Sequence, residues 1–278
     1  MGRKRMKAQK AVRIVIQAVF FLLCPEAFAS AFTAAKGVFE AFSQGAVLEW
    51  TEFARILVIL LVFTVVFGRF FCGYACAFGS VGDWIYQGTD ALLHRMGKKR
   101  PALPPGVIRY LQCIKYIVLA GVLALCFIGM TGVINQNSPW TAFSLLRAGQ
   151  LPGKEYAVAC VLLFWIVLGM ACVERFFCQF LCPLGAIFSL MPLLPTGQLR
   201  RETEKCIPGC QICRKNCPVS LKLGEDEIRN GECIRCGKCA AGCPRNSIAS
   251  GGIPVDTGST AAVMAQAAGL LILLLFVI

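Results

Sequence analysis

Long apolar runs alternate with short polar stretches along most of the chain. The runs cover residues 14–32, 53–71, 110–131, 156–173 and 260–278. A helix needs roughly 17–25 predominantly apolar residues to cross a bilayer. Each run reaches that length, so the pattern predicts five membrane-spanning helices.

The stretches between the runs predict where the chain leaves the membrane. Residues 33–52 carry scattered charges and are expected to form an external loop with amphipathic character. Residues 79–106 combine Trp84, Tyr86 and a basic cluster, which is typical of an interfacial helix followed by a cytoplasmic loop. Residues 137–155 are expected to form a second outer loop.

Two of the runs are followed by nearly the same eight residues. The first copy, RFFCGYAC, starts at Arg69, and the second copy, RFFCQFLC, starts at Arg175. Parallel repeats of this kind are usually related by an axis along the membrane normal. Because residues four apart share one face of a helix, each copy should present two thiols on one side. We therefore expect two membrane repeats whose thiols meet near that axis at the cytoplasmic edge of the bilayer. We call these four residues the membrane quartet: Cys72, Cys76, Cys178 and Cys182.

Composition agrees with a polytopic α-helical membrane protein. Of the 278 residues, 57% are hydrophobic and 15% are charged, whereas soluble domains have about 25% charged residues. The formal net charge is +13. In a membrane protein such an excess indicates basic cytoplasmic segments rather than nucleic-acid binding. The only histidine is His94, so this chain alone cannot hold a haem b between two histidines.

The distribution of basic residues predicts the orientation in the membrane. Clusters of Lys and Arg precede the first run, lie between the second and third runs, and follow the fourth run, whereas the expected outer loops are poorer in them. The positive-inside rule places such clusters in the cytoplasm. The N-terminal segment, both repeated motifs and the later cysteine-rich segment are therefore predicted to be cytoplasmic, at the inner membrane, with the last span leading outward.

The predicted organisation has six parts. They are a basic cytoplasmic N-terminus (1–13), a first membrane repeat (14–97), a cytoplasmic linker (98–109), a second membrane repeat (110–197), a ferredoxin-like segment (198–256) and a C-terminal transmembrane helix (260–278).

The cysteine-rich segment carries the most specific motif. Eight of the 17 cysteines fall within residues 206–243. The run that begins at Cys233, CIRCGKCAAGCP, has the spacing of bacterial ferredoxins, in which three close cysteines bind one [4Fe–4S] cluster and the fourth binds the other. The run that begins at Cys206, CIPGCQICRKNCP, has one extra residue after its first cysteine.

This logic assigns the ligands of two clusters. Cluster 1 is predicted to bind Cys206, Cys210, Cys213 and Cys243, and cluster 2 is predicted to bind Cys217, Cys233, Cys236 and Cys239. Zinc is the competing metal because four-cysteine zinc sites use related spacings. Two runs that each end in Cys-Pro favour iron–sulfur clusters.

The membrane quartet leaves several functions open. Four thiolates could bind a shared iron–sulfur centre or copper, the thiols could be redox-active or form a disulfide, or the cysteines could only pack. Arg69 and Arg175 precede the motifs' cysteines and could offset cluster charge and lower thiol pKa, or could anchor the helices at the interface. The other five cysteines are expected to be small buried residues: Cys24, Cys113, Cys126, Cys160 and Cys172.

Charged residues outside the ligand set predict partners. Six cations surround the cluster ligands: Lys205, Arg214, Lys215, Arg235, Lys238 and Arg245. They could dock an acidic ferredoxin or flavodoxin by electrostatic steering, or compensate cluster charge and attract anionic lipid. Glu26, late in the first run, could serve a quinol site or lie at the outer interface.

The motifs together resemble the NapH-type membrane iron–sulfur proteins. Paired Cys-x3-Cys-Pro motifs after transmembrane helices, followed by a two-cluster ferredoxin segment, are the pattern of that family, and the resemblance covers about residues 10–250. It maps onto Cys178, Cys182 and Pro183, and onto Cys72 and Cys76, where Ala77 replaces the proline. Similar proteins include the membrane core of the nitrous-oxide-reductase regulator and a cytochrome-oxidase assembly protein that handles copper. The resemblance to ferredoxins also implies that the two clusters lie close enough for fast electron tunnelling.

Three functions are consistent with these features. The first is electron transfer between a cytoplasmic carrier or the quinone pool and a membrane or extracytoplasmic partner that holds flavin, haem or metal, with the clusters as one-electron relays. The second is reduction of copper or another metal at the quartet during cofactor assembly, since thiolates favour Cu(I). The third is a redox sensor that regulates a partner.

Overall fold

The computed structural model describes residues 2–45, 50–98, 100, 104–221, 227–228, 231–250 and 259–277. Parts of five predicted segments lie outside these residues: 1 of the N-terminus, 46–49 of the outer loop, 99 and 101–103 of the linker, 222–226, 229–230 and 251–256 of the ferredoxin-like segment, and 278 of the C-terminal helix.

Helices account for most of the described chain. They are α1 (Gly2–Leu23), α2 (Ala27–Gln44), α3 (Glu52–Phe67), α4 (Ala77–Arg95), α5 (Pro105–Leu111), α6 (Ile114–Phe127), α7 (Thr131–Asn137), α8 (Pro139–Arg147), α9 (Ala157–Cys172), α10 (Phe176–Phe180), α11 (Pro183–Leu190), α12 (Ile212–Lys215), α13 (Lys238–Gly242) and α14 (Thr260–Val277). One turn of π-helix covers Phe71–Ala75, and 3₁₀ turns cover Lys154–Tyr156 and Pro195–Gly197.

A small antiparallel sheet lies in the cysteine-rich segment. Its strands are β1 (Leu199–Arg201), β2 (Glu227–Ile228) and β3 (Ile248–Ser250), in the order β2-β1-β3. Arg200 of β1 pairs with Glu227 of β2 and with Ala249 of β3. The sheet brackets the cysteine runs in sequence, and Leu199, Cys213, Ala240 and Ile248 form a buried core beside it.

The chain divides into two compact units. The first unit combines Met1–Pro25, Val58–Ser80 and Ile187–Ile278, so it contains α1, most of α3, the first repeated motif, the cysteine-rich segment and α14. Within it α1 packs against α14, and apolar side chains of the helices are fully buried, including Leu60 and Leu270.

The second unit combines Glu26–Leu57 and Val81–Ala186. Its core lies where α2 packs on α6 and is built from Phe32, Cys126 and Ile134. Aromatic rings extend this core, because Phe32 stacks on Trp140 with ring centroids 4.9 Å apart and Trp140 meets the edge of Phe177 at 5.5 Å. The second repeated motif therefore lies beside an aromatic cluster.

The expected outer loop at 33–52 is wrong for its first part. Residues 33–44 continue the helix α2, and the chain breaks earlier, at residues 24–26 between α1 and α2. Pro25 explains the break, since proline lacks a backbone N–H and disfavours helical geometry at the residue before it. The basic N-terminus is helical too, as the first turns of α1.

The helices only partly match the five predicted spans. In the part of the chain that the structure describes, two helices are long and apolar enough to cross a membrane, Lys154–Cys172 and Thr260–Val277. The pair Lys4–Leu23 with Ala27–Gln44 would add a third if it is one broken span. The third predicted run is shorter than expected, since α6 covers only Ile114–Phe127 and is preceded by a break at residues 112–113. The number of spans stays a prediction.

Candidate functional site

The first repeated motif, Arg69 to Cys76, follows a sharp turn after α3. Gly68 has φ +73°, and an added Cβ would lie 2.6 Å from the carbonyl oxygen of Gly197. Only glycine accepts both the left-handed backbone and this approach. The chain then makes the π-turn Phe71–Ala75, and Cys76 is extended, with φ −65° and ψ 117°. The helix α4 starts at the next residue.

The second repeated motif, Arg175 to Cys182, has the same break before its second cysteine. The short helix α10 ends at Phe180, and α11 starts at Pro183, directly after Cys182. The expectation that both cysteines of a motif share one helical face is therefore wrong. In each motif the second cysteine occupies the N-cap position of the following helix. The thiol of Cys182 uses that position, since the backbone N–H of Gly185 donates to its Sγ at 3.1 Å.

The four cysteines of the membrane quartet are all buried. Cys72 and Cys76 are 7% and 5% exposed and belong to the first unit, whereas Cys178 and Cys182 are 6% and 4% exposed and belong to the second. None of the described cysteines forms a disulfide. A common centre for all four stays a prediction.

The remaining cysteines outside the ferredoxin-like segment are less uniform than expected. Cys24 and Cys126 are buried, as predicted, but Cys160 is only half-buried, and Cys113 and Cys172 are exposed. Both exposed cysteines lie at the ends of apolar helices, where the outer surface would meet lipid rather than a protein core.

The two cysteine runs place five thiols around one cavity in the first unit. Its lining includes Cys213, Cys217, Cys233, Cys236 and Cys239, together with Leu199, Val219 and Leu221. All four predicted cluster 2 ligands are among them. Burial raises the pKa of the Cys217 thiol to about 12, and burial also raises the pKa of Cys233 and Cys239. Iron would therefore displace protons from these thiols on binding.

The predicted ligands of cluster 1 border an open cavity. Cys206, Cys210 and Cys243 are half-buried, as are three ligands of cluster 2, but Cys206 lines an open cavity of about 520 Å³ with Lys205 and Arg245. The backbone N–H of Ser247 donates to the Cys243 Sγ at 3.3 Å. Hydrogen bonds of this kind tune the potential of iron–sulfur clusters.

Within the described ranges, no three His, Cys, Asp or Glu side chains stand close enough together to hold a single metal ion. A cubane binds each of its four thiolates through a different iron, so its ligands stand farther apart than those of one ion. The soft thiolate donors and the cysteine-lined cavity fit the group that the spacing predicts.

The structure adds a contact that the sequence analysis missed. Gly231–Gly237, which we call the cluster 2 loop, carries Cys233 and Cys236, and the first motif packs against it. The Tyr74 hydroxyl donates to the carbonyl oxygen of Cys236 at 3.0 Å. Gln9 of α1 donates to the Tyr74 hydroxyl at 2.5 Å and lies 3.3 Å from the same carbonyl.

Two arginines complete this contact. Arg69 donates to the carbonyl of Gly231 at 3.1 Å and pairs with Glu232 at 3.4 Å. Arg13 of α1 donates to the carbonyl of Gly73 at 3.2 Å. Both arginines are buried, so each needs these partners to offset its desolvation. The arginine of the first motif thus binds the chain beside a predicted ligand rather than acting only as an interfacial anchor.

The closest approach lies at Gly73. A Cβ added there would lie 2.3 Å from the carbonyl oxygen of Ile234, in the cluster 2 loop. The sequence gives one indication of this contact, because the two motifs differ at the residues that make it. Gly73 and Tyr74 of the first motif correspond to Gln179 and Phe180 of the second.

The charged residues outside the motifs fall into different settings. Glu26 pairs with Arg147 at 3.5 Å in a half-exposed position. Lys205, Arg214, Lys215 and Arg245 are exposed, whereas Arg235 is buried and donates to the carbonyl of Gln198 at 3.3 Å. Lys205 and Arg245 line one cavity with Cys206, and Arg214 and Lys215 lie between Cys213 and Cys217 in sequence.

Known proteins share these features. The family model described as a 4Fe-4S binding domain matches residues 44–101 and 156–200. These two ranges contain both repeated motifs. Ferredoxin-type protein NapH of Escherichia coli is 20% identical over 67% of this chain and 63% of its own length. Regulatory protein NosR of Stutzerimonas stutzeri is 30% identical over 66% of this chain and 25% of its own length. The chain is similar to the NapH/NosR-type ferredoxin proteins.

Other relatives differ in length. An uncharacterised protein of Methanocaldococcus jannaschii is 28% identical over 76% of this chain and 75% of its own length. Protein NirI of Paracoccus denitrificans is 28% identical over 69% of this chain but only 28% of its own length. This chain is therefore similar to a part of the longer NirI and NosR. No solved structure matches the chain.

Proposed function

We propose that this protein is a membrane-bound relay that moves electrons between a cytoplasmic carrier or the quinone pool and a redox partner in or beyond the membrane. The support from comparison is a matching 4Fe-4S binding domain and relatives that are named as ferredoxin-type and electron transport proteins. Bound clusters would supply one-electron storage at a potential set by their surroundings.

One observation supports this proposal most strongly. The first membrane motif and the cluster 2 loop pack backbone to backbone, at Gly73 and Ile234. Tyr74, Gln9 and Arg69 hold the two segments together by hydrogen bonds. A cysteine pair beside a membrane helix and a predicted cluster site are thereby brought together within one unit, as an electron relay requires.

The two predicted ligand sets are part of the proposal. Cluster 1 would bind Cys206, Cys210, Cys213 and Cys243, and cluster 2 would bind Cys217, Cys233, Cys236 and Cys239. Spacing supports the assignment, and the cysteine-lined cavity supports the second set.

The orientation of the relay is proposed from charge alone. The N-terminus, both motifs and the ferredoxin-like segment would be cytoplasmic, at the inner membrane. A reporter fused after Lys98 should be active only as a cytoplasmic reporter, and one inserted after Gly149 only as an external one. The reverse pattern would contradict this orientation.

A third iron–sulfur centre at the membrane quartet is the finer part of the proposal. The two matched ranges of the 4Fe-4S family model include Cys72, Cys76, Cys178 and Cys182 and none of the eight ligands of clusters 1 and 2. The quartet's burial also supports a cofactor site shielded from water. Copper and free redox-active thiols are the competing occupants, because thiolates also favour Cu(I).

Anaerobic iron and sulfide analysis with EPR tests the proposal. The wild-type chain should contain more than the about eight irons of two cubanes. A variant with all four quartet cysteines changed to Ala should fall to that level. The matched control changes three cysteines outside the motifs, Cys113, Cys160 and Cys172, and should keep the wild-type content. About eight irons in all three proteins would remove the third centre, and no iron in any of them would refute the relay itself.

A regulatory role is the second candidate. Its support is the printed name of one relative, Regulatory protein NosR. If the chain acts as a redox sensor, variants without clusters should lower the amount of a partner protein without changing the activity of each partner molecule.

A further inference from the structure

The surroundings of the two predicted clusters are opposite in character. Beside the cluster 1 ligands the chain is exposed: Lys205, Ile207, Pro208 and Gly209 all face solvent. In the cluster 2 loop the residues Ile234, Arg235, Cys236 and Gly237 are all buried. One site is thus open to a soluble protein, and the other is covered by this chain.

Charge follows the same division. Arg214, Lys215 and Arg245 are exposed, lie close in sequence to ligands of cluster 1, and have no acidic partner among the described residues. Lys205 is different, because it pairs with Glu202 at 2.5 Å. The exposed surface around cluster 1 therefore remains basic, which attracts acidic proteins by electrostatic steering.

The cluster 2 loop is covered by a side chain that the second motif lacks, Tyr74, together with Gln9 of α1. Tyr74 donates a hydrogen bond to the carbonyl of Cys236, and Gln9 supports the Tyr74 hydroxyl. The second motif has Phe180 where the first has Tyr74, and it cannot make the same bond. Its arginine also differs in partner, since Arg175 pairs with Asp83 of its own unit at 2.5 Å.

Three glycines allow the segments at this contact to approach more closely than a Cβ would permit. A Cβ at Gly73 would lie 2.3 Å from the Ile234 carbonyl oxygen, and a Cβ at Gly237, which has φ +69°, would lie 2.4 Å from Gln9 Nε2. A Cβ at Gly231 would lie 2.1 Å from the Ser189 carbonyl oxygen. The cluster 2 loop is thus held in contact with its neighbours on several sides.

We infer that the two clusters have fixed and different positions along the electron path, which we call their stations. Cluster 1 is the one that meets an acidic, soluble one-electron carrier protein, and cluster 2 is the one that faces the first membrane motif. Gln9 and Tyr74 are positioning residues that hold cluster 2 there. This inference rests on the proposed electron-relay function and adds the order of the relay.

The predicted ligands would hold centres that exchange single electrons. The cysteines of cluster 1 would hold a centre that takes one electron from a reduced carrier protein, which is thereby oxidised. The cysteines of cluster 2 would hold a centre that takes this electron as cluster 1 is oxidised again, and the reverse order would describe flow in the other direction.

Two single-cluster variants of the full chain test the stations. In the chain whose four quartet cysteines are changed to Ala, changing Cys206 and Cys210 to Ala should leave only cluster 2, and changing Cys233 and Cys236 to Ala should leave only cluster 1. Both are reconstituted anaerobically in detergent and reduced, and their EPR power saturation is measured with a neutral, water-soluble gadolinium chelate. The chelate should relax the cluster 1 signal strongly and the cluster 2 signal weakly. Equal relaxation of both signals would overturn the inference.

A single substitution in the full chain, with the ligands of both clusters kept, tests the role of Tyr74. Tyr74→Phe removes one hydrogen-bond donor beside cluster 2, so the midpoint potential of cluster 2 should shift to a more negative value and that of cluster 1 should not. Tyr86→Phe, which removes the same atom in the second unit, is the matched control and should shift neither potential. A shift of cluster 1 alone, or of neither cluster, would contradict the assigned position of Tyr74.

Failure of the inference can be told apart from failure of the proposed function. A chain that binds no iron refutes the relay and leaves the stations without meaning. A chain that binds both clusters, with both equally accessible to the chelate, refutes only the stations. The midpoint potentials of Tyr74→Phe can still be measured if one single-cluster variant does not fold, because Tyr74→Phe keeps all predicted ligands of both clusters.

Discussion

At the scale of single residues, the arginine that begins each motif has a different partner in each copy. Arg69 and Arg175 occupy the same position of the repeat, and both are almost fully buried. Arg69 pairs with Glu232 beside the cluster 2 loop, whereas Arg175 pairs with Asp83. A buried guanidinium must be paired, because its desolvation is otherwise uncompensated. The repeat therefore supplies a charge twice, and the surroundings decide what it binds.

The Arg175–Asp83 pair should be essential for the second unit. Asp83→Asn leaves a buried guanidinium without its counter-charge, which typically costs about 3–5 kcal/mol. We expect a large loss of thermal stability and of folded yield in detergent. Glu202→Gln, which breaks the exposed pair with Lys205, is the control and should leave stability unchanged, because surface pairs contribute little. Equal effects of the two changes would contradict the role of burial.

Gly73 should tolerate no side chain. In Gly73→Ala the new Cβ must move away from the Ile234 carbonyl oxygen, which lies 2.3 Å from its ideal position. Overpacking of this kind typically costs about 1–3 kcal/mol. We expect a lower melting temperature and a lower iron content after reconstitution.

The control for Gly73→Ala is the same substitution in α6. At Gly121 an added Cβ meets none of the described atoms within 4 Å, and alanine favours helix over glycine. Gly121→Ala should therefore keep the iron content and leave the melting temperature unchanged or slightly higher. Full iron content in Gly73→Ala would mean that the contact with the cluster 2 loop is not rigid.

At the scale of secondary-structure elements, both motifs interrupt a helix just before their second cysteine. Cys76 and Cys182 precede α4 and α11 directly. This interruption takes the second thiol out of helical register and places it at a helix N-terminus. The dipole of a helix favours negative charge there, which suits a thiolate or a cluster. Ala77 and Pro183 both occupy the first helical position, so the missing proline of the first motif leaves the start of the helix unchanged.

Ala77→Pro should therefore be tolerated. Proline suits the first helical position, and it restricts the residue before it to extended geometry, which Cys76 already has with φ −65° and ψ 117°. We expect unchanged iron content and a gain in stability of about 0.4–1 kcal/mol, measured as a higher melting temperature.

Ser80→Pro is the matched control for this change. The Ser80 N–H donates to the Cys76 carbonyl at 2.9 Å, and proline would remove that bond and clash within the helix, at a cost of about 3 kcal/mol. The control should lose folded yield. Loss of iron in Ala77→Pro, with a fold that survives, would show that the chain around Cys76 must remain able to move.

At the scale of the whole molecule, a redox relay needs an open end and a covered end. The ferredoxin-like segment has exposed basic residues beside the predicted cluster 1 ligands and a buried loop at the cluster 2 ligands. In the first unit that buried loop meets the first motif and α1. The ferredoxin-like segment therefore has two different ends, an exposed basic one and a buried one, which two similar cysteine runs do not by themselves predict.

Electrostatic steering should be measurable at the open end. Replacing Arg214 and Arg245 with Glu should lower the rate at which a reduced acidic ferredoxin reduces the protein at low ionic strength, by about 10-fold or more. Lys98→Glu, an exposed cation in the second unit, should leave that rate nearly unchanged. Stopped-flow absorbance measures the rate, and added salt should reduce the difference between the proteins, because salt screens exposed charges. Equal rates at low salt would place the docking surface elsewhere.

Several features of the protein were predictable from sequence because they depend on local spacing. The cysteine runs between Cys206 and Cys243 predict cluster chemistry, since ligand spacing in a short loop depends on few residues. The repeated motifs predicted the similarity to NapH-type proteins, which the comparisons confirm. Apolar run length located α9 and α14 as candidate spans, although it missed the break at Pro25 and the early end of α6.

The sequence by itself determined the chemistry of the protein, whereas the tertiary structure decided where that chemistry is placed. Gln9 and Tyr74 meet the Cys236 carbonyl across 227 and 162 residues of chain. No periodicity or spacing rule links positions so far apart, because such a contact arises only when separate elements pack. Residues that pack this way are ordinary in sequence, a glutamine in a basic helix and a tyrosine among phenylalanines, and they gain their function from what the fold brings beside them.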